Sequence, residues 1–494
     1  METMYYPDKK EFIGLCGQGN VIPVYHEILA DFDTPLSAFL KIDKGDCSFL
    51  LESVEDAEKL GRYSFLGSDP LLTIRSKGDK VTVTKKGVEK VFTIDKDPID
   101  ELRKVMKDFK FVTNEKLPRF CGGLVGYIGY DMVRYFENIP DDNPGEIDLP
   151  DMRFDLADTM LVFDHVDRKI KIVALAFLED DPEKAYEDAC VRIKNVMGSL
   201  KRHVNIPEVK ISSGDPGRER SNFTDKEFHG IVEKAKEHIK AGDIIQVVLS
   251  QRLERETKAD PFSVYRALRS INPSPYMYYL KYGEHRIVGS SPEILVRCED
   301  GVVEVRPIAG TRRRGKDREE DLSMEKELLG DPKERAEHIM LVDLGRNDIG
   351  RVCDYSSVRP RELMRIERYS HVMHIVSDIA GELRDDKDIY DVIRATFPAG
   401  TVTGAPKVKA MELIDKFENT RRGPYAGCVG YIGFSGNIDL CITIRTIVMA
   451  GNKAYIQAGA GIVLDSDPVL EYKETLNKAG AMIKAIEFAE KGLQ

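Results

Sequence analysis

Pro307-Ile-Ala-Gly-Thr-Arg-Arg-Arg-Gly315 sets a glycine, a hydroxyl and three guanidinium groups beside one methyl side chain, Ala309. Guanidinium forks suit carboxylates, so the run is equipped for an anionic substrate. A solvated basic loop after the strand-like Val302 to Pro307 would have the same composition. Two carboxylate pairs offer a second chemistry. Glu334 and Glu337 stand on the helix-like Lys333 to Val342, and Glu471 and Glu474 repeat their i, i+3 spacing in Pro468 to Ala479, so each pair shares a helix face. Four converging carboxylates would suit a hard cation such as magnesium. The competing reading is surface ion pairing, with Lys478 as the i+4 neighbour of Glu474.

Other runs are weaker alone. Pro398-Ala-Gly-Thr-Val-Thr-Gly-Ala-Pro-Lys407 fails as a phosphate loop because its lysine does not directly follow the second glycine. Its hydroxyls and Lys407 remain able to bind a carboxylate in a turn, as do the backbone N–H groups of Gly459-Ala-Gly461, read as a second such loop. Arg445 interrupts the apolar Cys441 to Val448, where a buried charge needs an anion, either substrate or a structural carboxylate. His374, within Val372-Met-His-Ile-Val376, reads by itself first as a hydrogen-bonded core histidine and only second as a functional one. Asp343-Leu-Gly-Arg-Asn-Asp348 reads as a helix end with a turn.

The elements that must hold these groups alternate. Between Cys47 and Asp95 strand-like runs (Ser48–Leu51, Leu71–Ile74, Lys80–Thr84, Val91–Ile94) are separated by turns, which predicts antiparallel sheet. Ile99 to Phe109 has one apolar helical face, and Thr159–Phe163 with Ile170–Ala176 reads as a hairpin. Residues 205–222, polar and rich in proline and glycine, form the linker between an N-terminal domain, 1–204, and a C-terminal domain, 223–494. A helix with a Thr224-to-Glu227 capping box and a Gly242 stop follows, then a strand from Asp243 to Glu254. Cys121-Gly-Gly-Leu-Val-Gly-Tyr-Ile-Gly-Tyr130 is echoed by Ala426-Gly-Cys-Val-Gly-Tyr-Ile-Gly-Phe434, through duplication or through two similar packing solutions.

A chain of 494 residues has room for two or three domains. Its net charge of -11 argues against a general nucleic-acid binder and leaves anion sites to local basic clusters. Eight scattered cysteines lack zinc-site spacing and fit a reducing compartment. With no signal-like N-terminus and no long apolar run, a cytoplasmic protein without membrane contact is expected.

Together these runs resemble the chorismate-utilising enzymes, in particular the anthranilate synthase component I family. The likeness extends from Leu50-Leu-Glu-Ser53 through Asn272-Pro-Ser-Pro-Tyr-Met277, the PIAGTRRRG run, Ala336 to Asp348, GTVTGAPK and GAGIVLDSDP to Glu474-Thr-Leu-Asn-Lys-Ala479. It implies an α+β fold of two interlocked domains built on antiparallel sheets flanked by helices. It also implies Mg2+ held by Glu337 and Glu474, supported by Glu334 and Glu471, with Gly310, Thr311, Tyr425, Arg445, Gly459, Ala460, Gly461 and Lys478 around the two carboxylates of chorismate. Thr311 joins Glu293, matched to the general acid for the 4-hydroxyl, and His374, matched to the pyruvate-eliminating step, in the catalytic set.

Two positions separate relatives. Isochorismate and salicylate synthases carry a water-activating lysine where this chain has Gln246, and aminodeoxychorismate synthases commonly carry a nucleophilic lysine where it has Ala309. The resemblance therefore implies direct amination of chorismate by ammonia to give anthranilate and pyruvate, the first committed step of tryptophan biosynthesis; aminodeoxychorismate synthase component I is the alternative. Glu52, Ser53, Pro275, Tyr276 and Met277 match the family's L-tryptophan feedback pocket, assigned to the N-terminal domain with the chorismate site in the C-terminal one. No stretch is free for a glutaminase, so ammonia is expected from a separate glutamine amidotransferase subunit, in a heterodimer or heterotetramer. Individual roles for Arg312, Arg313 and Arg314 stay open.

Overall fold

The computed structural model describes residues 4–53, 61–179, 181–204, 219–369 and 372–493. Among these, two antiparallel sheets of twelve strands each pack face to face, with helices on both outer surfaces. This is the α+β class expected, and strands from both halves of the chain sit side by side in each sheet. The first sheet runs Val21–Leu29, Lys169–Phe177, Thr159–Asp164, Tyr63–Ser68, Cys47–Glu52, then Tyr276–Tyr282, His285–Ser291, Thr446–Ala450, Lys453–Ile462, Gln246–Glu256. In the second, the Gly123–Ile128 strand lies against Cys428–Gly433 at the centre.

Between the sheets Val21, Phe49, Phe120, Val125, Tyr127, Tyr278, Leu280 and Val429 form a continuous apolar layer. The Gly123–Ile128 strand is buried throughout because both of its faces are covered. Helices Pro182–Leu200, Pro261–Ile271 and Pro468–Glu490 cover the outside of the first sheet.

The two glycine-rich echoes are neighbours that pair with each other, Gly126 opposite Gly430 and Gly123 opposite Gly433. A local two-fold axis passes between them, and the order of elements repeats around it. In each half a hairpin of the first sheet (Cys47–Glu52 with Tyr63–Ser68; Tyr276–Tyr282 with His285–Ser291) leads into the second sheet. The chain then returns to the first sheet by a second hairpin (Thr159–Asp164 with Lys169–Phe177; Thr446–Ala450 with Lys453–Ile462) and ends on a long helix. Those helices open alike, on Asp181-Pro182 and Asp467-Pro468. Gly67 faces the Phe49 ring as Gly289 faces the Tyr278 ring, each with no room for a Cβ. Repetition at this scale favours duplication over two chance packing solutions.

The sequence-level helix at Ile99, the Thr159–Ala176 hairpin, the Thr224 capping box and the left-handed Gly242 stop are all present. Residues 205–218 of the expected linker lie outside the described residues; beyond them Arg220–Ser221 pairs with the Gln246–Glu256 strand, which begins later than Asp243. Two expectations are corrected. The arginine-rich run is the strand Ile308–Arg313, paired to Val372–Glu382 with a bulge at the left-handed Gly310. The Asp343–Asp348 stretch continues the helix Pro332–Gly350, because Leu341, Val342, Asp348 and Ile349 keep one face buried and Gly345 lets Val305 and Ile379 approach. All eight cysteines are free, and no helix among the described residues is long and apolar enough to cross a membrane.

Candidate active site

The site is built where the Pro332–Gly350 and Pro468–Glu490 helices meet the Gln246–Glu256, Lys453–Ile462 and Ile308–Arg313 strands. Gly459, Ala460 and Gly461 lie opposite Ser250, Leu249 and Val248 in strand pairing, so this segment is strand rather than loop. Its glycines make space. A Cβ at Gly461 would stand 2.5 Å from Gln246 Nε2, and one at Gly459 would stand 2.8 Å from the Tyr425 hydroxyl. Gln246 uses that room to donate from Nε2 to Glu337 at 3.2 Å.

Glu337 is raised by burial and by the like charges of Glu334 and Glu474, against the Gln246 hydrogen bond. Burial, with Glu474 adding to it, also raises Glu471. Mutual repulsion of this kind is relieved by a cation, and an all-oxygen donor set is what a hard divalent ion takes. No three carboxylates converge as a ready metal cage among the described residues. The ion-pair reading is realised for half the set: Glu474 meets Lys478 at 2.7 Å, and Glu334 meets Arg312 at 3.0 Å.

Arg445 has a left-handed backbone, φ 52°, a costly conformation for a side-chain-bearing residue. Its Nη1 donates to the Lys478 carbonyl at 2.9 Å. It has no ion pair among the described residues, and burial lowers its pKa despite the fields of Tyr425 and Glu474. A desolvated guanidinium without a counter-ion is a place for an anion. Lys478 Nζ lies 3.0 Å from the Gly459 carbonyl, beside it.

On the neighbouring wall Thr311 stands directly across the strands from His374. His374 Nδ1 is 3.0 Å from both Thr311 Oγ1 and the Gly310 carbonyl. Donation to that carbonyl assigns the proton to Nδ1 and leaves the Nε2 lone pair free. Burial foremost, and Arg445 further, lower the His374 pKa and keep the ring neutral. Glu293 is buried, and burial drives its carboxyl up to about 8 against the Thr401 hydroxyl and the Lys478 charge. It is therefore a protonated donor at neutral pH. It lines a cavity of about 400 Å³ with Thr401 and Asp348.

Several groups that the sequence offered to a substrate are already engaged. Arg312 bonds Glu327, Asp331 and Glu334, Arg313 bonds Glu320, and Arg314 bonds Asp321. The three arginines thus fasten the strand to the helices beyond it. Lys407 does bind a carboxylate, but it is the buried Asp348 at 2.7 Å. Thr401, one of the hydroxyls of the same motif, likewise faces a protein carboxyl, that of Glu293.

A second hollow, about 530 Å³, lies between the sheets near the two-fold axis. Glu52, Ser53, Pro275, Tyr276 and Met277 all line it, with Tyr431 and Asp439. The Glu52 carboxylate is held by Tyr265 at 2.6 Å and by Arg269 at 3.1 Å. Ser53 Oγ is buried and has no partner among the described residues.

Comparison with known proteins places these observations. The family pattern described as chorismate binding enzyme matches residues 47–484. Anthranilate synthase component 1 of Acetivibrio thermocellus is 49% identical over 98% of this chain and 99% of its own length. The protein of that name from Aquifex aeolicus is 52% identical over 95% and 96%. Among solved structures, anthranilate synthase component I of Streptococcus pneumoniae superposes with a TM-score of 0.77 at 37% identity, covering 92% of this chain and 99% of that one. The isochorismate synthase MenF of Escherichia coli, at 18% identity and a TM-score of 0.72, shares the fold.

Proposed function

The chain belongs to the chorismate binding enzymes, and from that premise we propose that it is the large, aminating chain of an anthranilate synthase, converting chorismate and ammonia to anthranilate and pyruvate. The observation that carries this reading is Gln246. It reaches Glu337 across the site, and an amide there is no base for activating water. Ala309, on the strand opposite Ile375, likewise offers no nucleophile to attack the ring. The relatives of that name, matched along nearly their whole length, support the same conclusion.

Chorismate carries two carboxylates, which the unpaired Arg445, the Gly459–Gly461 segment, Tyr425 and Lys478 would hold, with Gly310 and Thr311 on the opposite wall. Magnesium, bound by Glu337 and Glu474 with Glu334 and Glu471 about them, would supply charge neutralisation at the ring carboxylate. Glu293, neutral at pH 7, gives its proton to the departing 4-hydroxyl as ammonia bonds to the ring carbon next to the carboxylate. Water leaves, the ring double bonds shift, and the ammonium group formed on the ring loses a proton to solvent. In the second step His374 Nε2 takes the proton from the carbon bearing the new amine. The ring C–O bond to the enolpyruvyl group then breaks, the ring becomes aromatic, and the released enolate takes up at its methylene carbon a proton, matching the one His374 removed, to become pyruvate.

The component 1 name of the relatives implies a second component, which we read as a separate glutamine amidotransferase subunit that supplies the ammonia. The hollow by Ser53 takes L-tryptophan, which by stabilising one arrangement of the two halves would inhibit the distant site.

Purified chain with chorismate, magnesium and an ammonium salt should give the fluorescence of anthranilate, and glutamine in place of ammonium should give none. A non-aromatic amino product would instead identify an aminodeoxychorismate synthase.

A further inference from the structure

Behind the walls of the candidate site lies an ion pair on which the proposed mechanism does not draw. Arg422 and Glu418 are both buried, and their charged groups meet at 2.6 Å and 2.9 Å. Removing two charges from water is costly, and an apolar pair of similar volume would commonly serve stability as well. What the ion pair adds is a set of directed bonds, and each leads to a different part of the site.

Glu418 accepts from the Ser250 backbone N–H and hydroxyl, both at 2.8 Å, while Arg422 donates to the Val248 carbonyl at 2.7 Å. Val248 and Ser250 lie opposite Gly461 and Gly459 in strand pairing. Arg422 also donates to the Val402 carbonyl at 2.8 Å, gripping the turn that carries Thr401 beside Glu293. Its guanidinium lies over the rings of Tyr130, at 4.7 Å, and Tyr425, at 5.5 Å. Cation–π contact of this kind restrains where the Tyr425 hydroxyl can point.

We propose that Arg422 and Glu418 are positioning residues for chorismate. They fix the Tyr425 ring, the Gly459–Gly461 segment and the Thr401 turn relative to one another, and they act on the substrate only through these groups. The proposal rests on the reading of those groups as chorismate contacts.

The test compares the wild type with Arg422→Met/Glu418→Leu, which removes both charges and leaves neither unpaired, and with Arg422→Lys, which keeps the charge without the planar fork. Melting temperature, chorismate affinity by calorimetry without ammonium, and KM and kcat with ammonium are measured for each. The double variant should stay folded and lose chorismate affinity by about tenfold or more, seen in both Kd and KM. Arg422→Lys should fall between it and the wild type. A folded double variant with wild-type chorismate affinity, or a loss confined to kcat, overturns the proposal. Should the double variant not fold, wild-type affinity in Arg422→Lys overturns it equally. A wild type that binds chorismate without forming anthranilate defeats the functional reading alone, since the affinity comparison still decides this one; a wild type that does not bind chorismate overturns both.

Discussion

Arg192 and Lys478 occupy matching places on the closing helices of the two halves, and each reaches back to a strand carbonyl, of Leu175 at 2.5 Å and of Gly459 at 3.0 Å. From there the halves diverge. In the N-terminal half Arg192 also meets Asp158 and Thr159, and the Leu175 side chain fills the space against Gly122. In the C-terminal half glycine replaces that leucine, Arg445 stands where the other half has Thr159, and no protein carboxylate pairs with it among the described residues. The turn Gly67-Ser-Asp-Pro-Leu71 likewise corresponds to Gly289-Ser-Ser-Pro-Glu293, its last residue apolar in one half and acidic in the other. One scaffold is satisfied by its own charges. The other keeps a cation with no protein carboxylate paired to it among the described residues and a buried acid, the groups that the proposed function assigns to chorismate.

Making the open half resemble the closed one should abolish function stepwise. Arg445→Thr removes the uncompensated cation and is expected to lower kcat/KM for chorismate by about a thousandfold, the upper range for losing one preorganised charge contact. Retained turnover in the fluorescence assay would assign the carboxylate to another group. Gly459→Leu crowds Tyr425 and should cost about a hundredfold, chiefly through KM, because the substrate is displaced rather than left unstabilised.

Glu293, against Leu71 in the closed half, gives the contrast a pH dependence. Its carboxyl is raised to about 8 by burial, so the proton-donating form persists at neutral pH and is lost as pH rises through that value. At constant free ammonia the rate should therefore fall about tenfold per pH unit on the alkaline side. A profile flat to pH 9 would remove Glu293 as the acid.

Ser53→Phe, filling the hollow near the axis, should raise the tryptophan concentration needed for half-inhibition by about tenfold; an unchanged inhibition curve would place the inhibitor elsewhere. The smallest effect on turnover is expected in the closed half. Asp158→Asn leaves Arg192 half-buried without its counter-ion and should cost about 2 kcal/mol of stability, with kcat/KM within about twofold of wild type. A large loss of activity there would mean that the two halves are not functionally separate.

Much of this contrast could be read along the chain. The paired glutamates and the glycine echoes are legible because helix and strand periods, and the spacing of small and charged residues, are local properties; Glu293 stands out only through the family resemblance. The likeness of Gly67–Leu71 to Gly289–Glu293 was also present there, but five residues with one proline carry little weight until the fold superposes them. Strand Tyr63–Ser68 went unread, and the helical Asp343–Asp348 passed for a turn, because burial rather than local propensity settles such segments.

What the sequence by itself determined was the inventory: which charges, hydroxyls and glycines exist, and that Gln246 and Ala309 supply no base or nucleophile. Only the tertiary structure decided which charges are already spent. Arg312, Arg313, Arg314 and Lys407 look as available in sequence as Arg445, yet each closes on a carboxylate supplied by a neighbouring helix. Arg445 does not. Its status depends on strands and helices brought together from across the chain, and so on long-range packing that no local pattern encodes.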